Sequence, residues 1–268
     1  MANEDKWLEL IERKLSSQRC EVGRVGQTLN VKAGRGITAA KANVDPGRLF
    51  DELYATDGDH QRLIAGFVSG VRHVLLEPKR SDAAEWDFLT AAGRMMLNVE
   101  VHTFDLGVRA AAGEPAWTGG YFEDLIVGYF IELDVGIRVL TQSQFESWSA
   151  TSERVYAAAR SMLFHKSRNL KPREIDDFAG VEELNAGDGY DAMRSIVVSD
   201  LFFSEFGDDF RFSTPTQDAL LFVRGDSDDQ LSSLREATDA YTDEADYPLS
   251  RSIYGFETGK PVLVEPRP

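Results

Sequence analysis

The stretch "TDGDH", residues 56–60, places two carboxylates and an imidazole within four positions. Asp57, Asp59 and His60 are the residue types that hold a hard divalent cation or move a proton. Metal-assisted hydrolysis is the chemistry such a trio would support. The same residues also suit the start of a helix, with Asp59 as its cap. The EF-hand spacing is not completed, and no glutamate stands at the twelfth loop position. A second polar cluster, "GDGYD" at 187–191, precedes an apolar run. Asp188 or Gly189 fits a helix cap and Asp191 fits the first turn, where the helix dipole favours acids. Such a glycine-led helix start can bind an anion, but two aspartates would repel one. Tyr190 is the residue that capping leaves without a role, and it stands as a candidate partner contact.

Other chemistry finds less support. His60, His73, His102 and His165 show no HExxH spacing, and one cysteine, Cys20, excludes a cysteine pair, so no zinc site is expected. Cys20 alone also excludes an internal disulfide. The "FVSGV" around Ser69 lacks the first glycine of a nucleophile elbow and falls inside a helical pattern. "DSDD" at 226–229 reads as helix capping. His102 and Glu100 are expected on one face of a strand, beside Glu123 and Asp124. No glycine-rich phosphate loop follows a strand, so no nucleotide cofactor is expected. No catalytic residue is assigned. The remaining clue is aromatic: Trp117, Tyr121 and Phe122 lie in or beside "AAAGEPAWTGG", residues 110–120, read as an exposed loop; the three rings either offer a protein partner an anchor or are buried against the sheet, the second being the more common outcome.

The elements that must carry these residues follow from periodicity. Trp7, Leu8, Ile11 and Leu15 make one stripe of a first helix, about residues 4–18, with Asn3 as cap. "CEVGRVGQTLNVKAGRGITAAK" alternates as two or three strands. Asp45 and Pro46 open another helix. Leu63, Ile64, Phe67, Val68, Val71, Val74 and Leu75 trace one face of the clearest helix. A further helix is expected over about 82–96, then a strand in "NVEVHTF". "FEDLIVGYFIELDVGIRVLT" reads as a strand pair turning at Asp134–Gly136. A helix follows at about 151–165, and polar residues 166–188 read as a linker. The remainder gives a helix at about 190–205, a hairpin, a helix at about 227–242 with a Ser227–Gln230 capping box, and a closing hairpin. Hairpins with helices between them predict an α+β fold with antiparallel or mixed sheets, and the recurring order helix, strand, strand, helix suggests two similar halves. The expected organisation is 1–165, a linker at 166–188, and 189–268.

The chain has 268 residues, 43% hydrophobic and 28% charged, enough for a real core. Its formal charge of −16 argues against nucleic acid and anionic lipid as partners. No segment has the apolar length of a membrane span, and the charged N-terminus does not read as a signal peptide. A soluble cytoplasmic protein is expected.

"RGITAAK" at 35–41, "YFIELDVGIRVLTQSQFESW" at 129–148, "GDGYDAMRSIVV" at 187–198, "STPTQDALLFV" at 213–223 and "GKPVLVEPRP" at the end occur in this order. Together they resemble the YtpQ-like bacterial proteins, domain of unknown function 1444. The chain departs from that pattern around 77–120. The resemblance implies a shared fold and carries over no functional residue. Three functions are therefore expected as alternatives: a non-enzymatic protein-binding or adaptor module, a metal-assisted hydrolase using Asp57, Asp59 and His60, and an acidic inhibitor or immunity-type protein.

Overall fold

A computed structural model describes residues 2–33, 40–56, 59–76, 86–121, 125–134, 136–202, 210–257 and 260–267. The chain divides into two compact units. The first comprises residues 1–95, 100–119 and 128–155; the second comprises 96–99, 120–127 and 156–268.

The first unit opens with α1 (Ala2–Ser17), which buries Leu8, Ile11 and Leu15 as their spacing predicts. Asn3 lies inside this helix rather than capping it. Strands β1 (Cys20–Val25), β2 (Thr28–Ala33) and β3 (Ala40–Val44) form an antiparallel sheet in that order. Gly26, at φ +64, makes the tight turn between the first two. Helix α2 (Gly47–Ala55) begins after Pro46, and the Asp45 Oδ1 accepts the Gly47 N–H at 2.9 Å. Helix α3 (His60–Leu76) is buried well beyond one stripe: Gly66, Ser69 and Gly70 are enclosed along with its large apolar residues.

The reason is an element the periodicity did not announce. The expected helix at 82–96 is represented by α4 (Phe88–Ala92), capped by Asp87. Met95 and Met96 instead start strand β4 (Met95–Val101), buried along its whole length. Helix α5 (Thr103–Ala112) follows and packs along α3. Then come β5 (Thr118–Gly120), β6 (Leu125–Glu132) and β7 (Ile137–Val139), with β6 and β7 an antiparallel hairpin as predicted. The sheet that holds them runs β4-β6-β5, with β7 paired to β6. Helices α6 (Gln142–Ser147) and α7 (Ser152–Ser167) complete this stretch.

Residues 166–188, expected to be a linker, contain β8 (Arg173–Glu174) and β9 (Glu182–Leu184). After a short 3-10 turn at Ala192–Arg194 come α8 (Ser195–Phe202), β10 (Phe210–Thr216), β11 (Ala219–Arg224), α9 (Asp228–Glu244), β12 (Ile253–Glu257) and β13 (Lys260–Glu265). The sheet order is β13-β12-β10-β11-β9-β8, every pair antiparallel. Alternation decides its two faces. Phe210, Phe212, Leu220, Phe222 and Tyr254 pack with Val198 of α8. Leu221, Val223 and Ile253 pack with Leu234 and Ala237 of α9. Ser227 caps α9 as its sequence predicts, accepting the Gln230 N–H. The fold is α+β, and the strand pairs of the three- and six-stranded sheets are antiparallel.

Candidate functional site

Asp59 Oδ1 accepts the N–H groups of Gln61 at 2.9 Å and Arg62 at 3.2 Å. That oxygen is committed to the free backbone donors of α3's first turn. His60 Nε2 lies 3.0 Å from the Thr56 carbonyl, and its ring meets Trp7 edge-on at 5.4 Å. Asp57 lies outside the described residues. Among those described, no three His, Cys, Asp or Glu side chains are grouped to hold a metal ion.

The GDGYD cluster resolves around a residue the sequence reading missed. Arg194 is the largest fully buried side chain, 0% exposed. Its Nη1 donates to Asp188 Oδ1 at 2.8 Å and to Asp191 Oδ1 at 2.6 Å, its Nη2 to Asp188 Oδ2 at 2.8 Å, and its Nε to Ser167 Oγ at 3.1 Å. Asp191, also 0% exposed, accepts the Ala186 N–H with both oxygens, at 3.0 and 3.1 Å. Glycines at φ +66 (Gly187) and +80 (Gly189) let the chain wrap this knot. Burial pushes both aspartates upward. For Asp188 the Arg194 hydrogen bonds and charge outweigh burial and hold the carboxyl below its usual range. For Asp191 burial wins and the carboxyl is raised. The difference follows from solvent access, because Asp188 keeps about a third of its side chain exposed. Tyr190 is buried, with the Lys166 ammonium 5.7 Å from its ring. The helix-cap expectation is thus replaced by an ion-paired core. An Arg three residues after one Asp and six after another was the available signal.

The stretch at 110–120 is not an exposed loop. It holds the last turn of α5, Gly113 at φ +81 closing that helix, a bridge between Ala116 and Thr141, and β5. Trp117 is 8% exposed and stacks on Phe145 at 4.1 Å and 15°. Tyr121 shares a hydrogen bond with the Ser195 hydroxyl, and burial pushes its phenol above the usual range. Phe122, Glu123 and Asp124 lie outside the described residues. The expected Glu100–His102 face also dissolves, since β4 ends at Val101. Glu100 is 1% exposed, with Ser69 Oγ 3.5 Å from its carboxylate, and His102 stands 3.4 Å from Glu52. Burial lowers the His73 imidazole to about 4, between Phe104 and Phe130.

Among the described residues of the first unit, the β1–β3 sheet has one covered and one exposed face. The inner face of β1–β3 buries Cys20, Leu29, Val31, Ala33 and Val44 toward α1 and α3. The outer face carries two cross-strand rows, Glu21–Lys32–Lys41 and Gly23–Asn30–Asn43. Lys32 reaches Glu21 at 2.8 Å. A concavity of about 410 Å³ lies across these rows, because Gly23 contributes no side chain and nothing stands within 4 Å of where its Cβ would be. Compared with protein-family models, with curated proteins and with solved structures, the chain matches none.

Proposed function

We propose that this chain is a YtpQ-like, cytoplasmic, non-enzymatic adaptor that holds a protein partner on the outer face of β1–β3. The observation that carries the reading is that concave face. Asn30 and Asn43 stand side by side on it, exposed, with no amide hydrogen bond to another described residue. Strand β1 is at the edge of its sheet, and Val25 at its end is 69% exposed. A concave polar face with unengaged amides can hydrogen-bond a segment of a partner laid across it, and the exposed β1 edge lets that segment extend onto the sheet with main-chain bonds. In the two acidic clusters that the sequence singles out, Asp59 is engaged by backbone donors, and Asp188 and Asp191 by Arg194. Among the described residues no helix is long and apolar enough to cross a membrane.

The test is capture of the partner by the immobilised protein and by an Asn30→Arg/Asn43→Arg variant. The variant should keep the wild-type melting temperature and lose the partner. Equal capture by both would remove the face from the account.

The metal-hydrolase reading is weighed by Asp59. Asp59→Ala should destabilise the protein by about 1 kcal/mol in urea unfolding through loss of the cap. Magnesium, manganese, calcium or zinc should raise the melting temperature of neither wild type nor variant, since a ligand of the native state would do so by mass action. A metal-dependent rise that Asp59→Ala abolishes would favour the hydrolase.

A further inference from the structure

A second concavity in the first unit, about 310 Å³, has a lining that fits a different occupant. Leu106, Ala110 and Pro115 form the apolar part of the lining, and four charged side chains stand around them: Arg48, Arg109, Asp45 and Glu114. The volume falls at the small end of ligand sites, roughly 300–1,000 Å³. That suits a metabolite rather than a chain segment.

The charges are arranged and only partly engaged. Arg109 Nε donates to Asp105 Oδ2 at 2.6 Å, while Asp105 Oδ1 accepts the Ala116 N–H at 2.9 Å. The carboxylate behind Arg109 is therefore anchored to backbone, and the outer guanidinium nitrogens are left for a ligand. Arg48 sits in the first turn of α2, where the helix dipole disfavours a cation. It makes no ion pair with another described residue, so nothing local explains its charge there. Asp45 uses one oxygen on Gly47 N–H, and Glu114 uses one on the Ser143 hydroxyl. Each keeps a second oxygen. Two guanidiniums and two carboxylates around an apolar wall are complementary to a molecule with a carboxylate, an ammonium and a hydrocarbon body.

We infer that this cleft binds a free α-amino acid with a hydrophobic side chain. The guanidiniums take its carboxylate, Asp45 and Glu114 take its ammonium, and its side chain lies on Leu106 and Pro115. This site is separate from the β1–β3 face, and either reading can fail without the other.

Calorimetric titration of the intact chain with leucine and phenylalanine, beside N-acetyl-leucine and leucinamide, tests it. The free amino acids should bind, and each capped form should bind about tenfold more weakly, having lost one charge-assisted contact. Arg48→Gln should weaken leucine by about as much without lowering the unliganded melting temperature, because Arg48 is exposed and its charge opposes the helix dipole. Any of three results overturns the proposal: no binding by free amino acids at millimolar concentration, equal binding of a capped form, or full leucine affinity in Arg48→Gln.

Discussion

Gly107→Ala should destabilise the protein by about 3 kcal/mol, and Gly70→Ala by a similar amount. At these two positions α3 and α5 touch backbone to backbone. A Cβ on Gly107 would sit 2.0 Å from the Phe67 carbonyl oxygen and 2.9 Å from the Val71 nitrogen. A Cβ on Gly70 would sit 2.1 Å from the Phe104 carbonyl oxygen. Neither obstacle is a side chain that can rotate aside, so the helices must separate. Separation would also break the hydrogen bond from Thr103 Oγ1 to the Leu63 carbonyl, 2.6 Å, at the same crossing. Open packing around Leu63, Phe67, Phe104 and Val108 adds the cost of voids between close-packed side chains. Gly93→Ala is the control. Its φ of −75 suits any residue and its Cβ would meet nothing within 4 Å, so its effect should stay within about 0.5 kcal/mol. Urea midpoints of the three variants measure the difference. A Gly107→Ala protein as stable as Gly93→Ala would mean the crossing is looser than described.

Arg194→Met is expected to cost about 3–5 kcal/mol at neutral pH, the range for removing one partner of a buried ion pair. Methionine fills much of the volume, so the loss is electrostatic: Asp191 stays fully buried without its cation, and the Ser167 hydroxyl loses a donor. The cost should depend on pH with a definite sign. Asp188 has its folded pKa held below the unfolded value, so its contribution is present above the unfolded carboxyl range and is lost as pH falls through the folded pKa. Asp191 is raised, so its contribution is present at low pH and is lost as pH rises through its folded value. In the variant both carboxyls lose the cation that favours ionisation. Their protonation at low pH relieves the buried charge, and the gap between wild type and variant should narrow on acidification. Stability curves at neutral and acid pH measure this, and a gap that widens on acidification would contradict the ion-pair account.

What the sequence made legible follows the strength of local signals. The stripe of α3, the β10–β11 hairpin and the Ser227 cap were readable because propensity, pattern and burial agree there. Met95–Leu97 misled because methionine and leucine favour helices, while complete burial within β4 decides for strand. Helix α5 was hidden because Gly107 carries its contact with α3, and a glycine leaves no mark on a hydrophobic pattern. Strands β8 and β9 carry Arg173, Glu174, Glu182 and Glu183, which look like a solvated segment until pairing with β11 places them in a sheet. Arg194 escaped notice because arginine is almost never fully buried, and only the two aspartates beside it make that tolerable. For Trp117 the sequence left two readings, a partner anchor in a glycine-rich loop or burial against the sheet, and Phe145 and Tyr129 enclose it. The concave face of β1–β3 could not be read from pattern alone, since it arises from cross-strand register: Gly23, Asn30 and Asn43 are neighbours only once the strands pair.

The proposed adaptor role places the partner on that face. The most direct measurement is photo-crosslinking in cells from a reactive residue at position 43, with position 264 on the second unit's edge strand as comparison. A discrete higher-mass adduct from position 43, absent from position 264, is the predicted result. Adducts from position 264 with none from position 43 would contradict it.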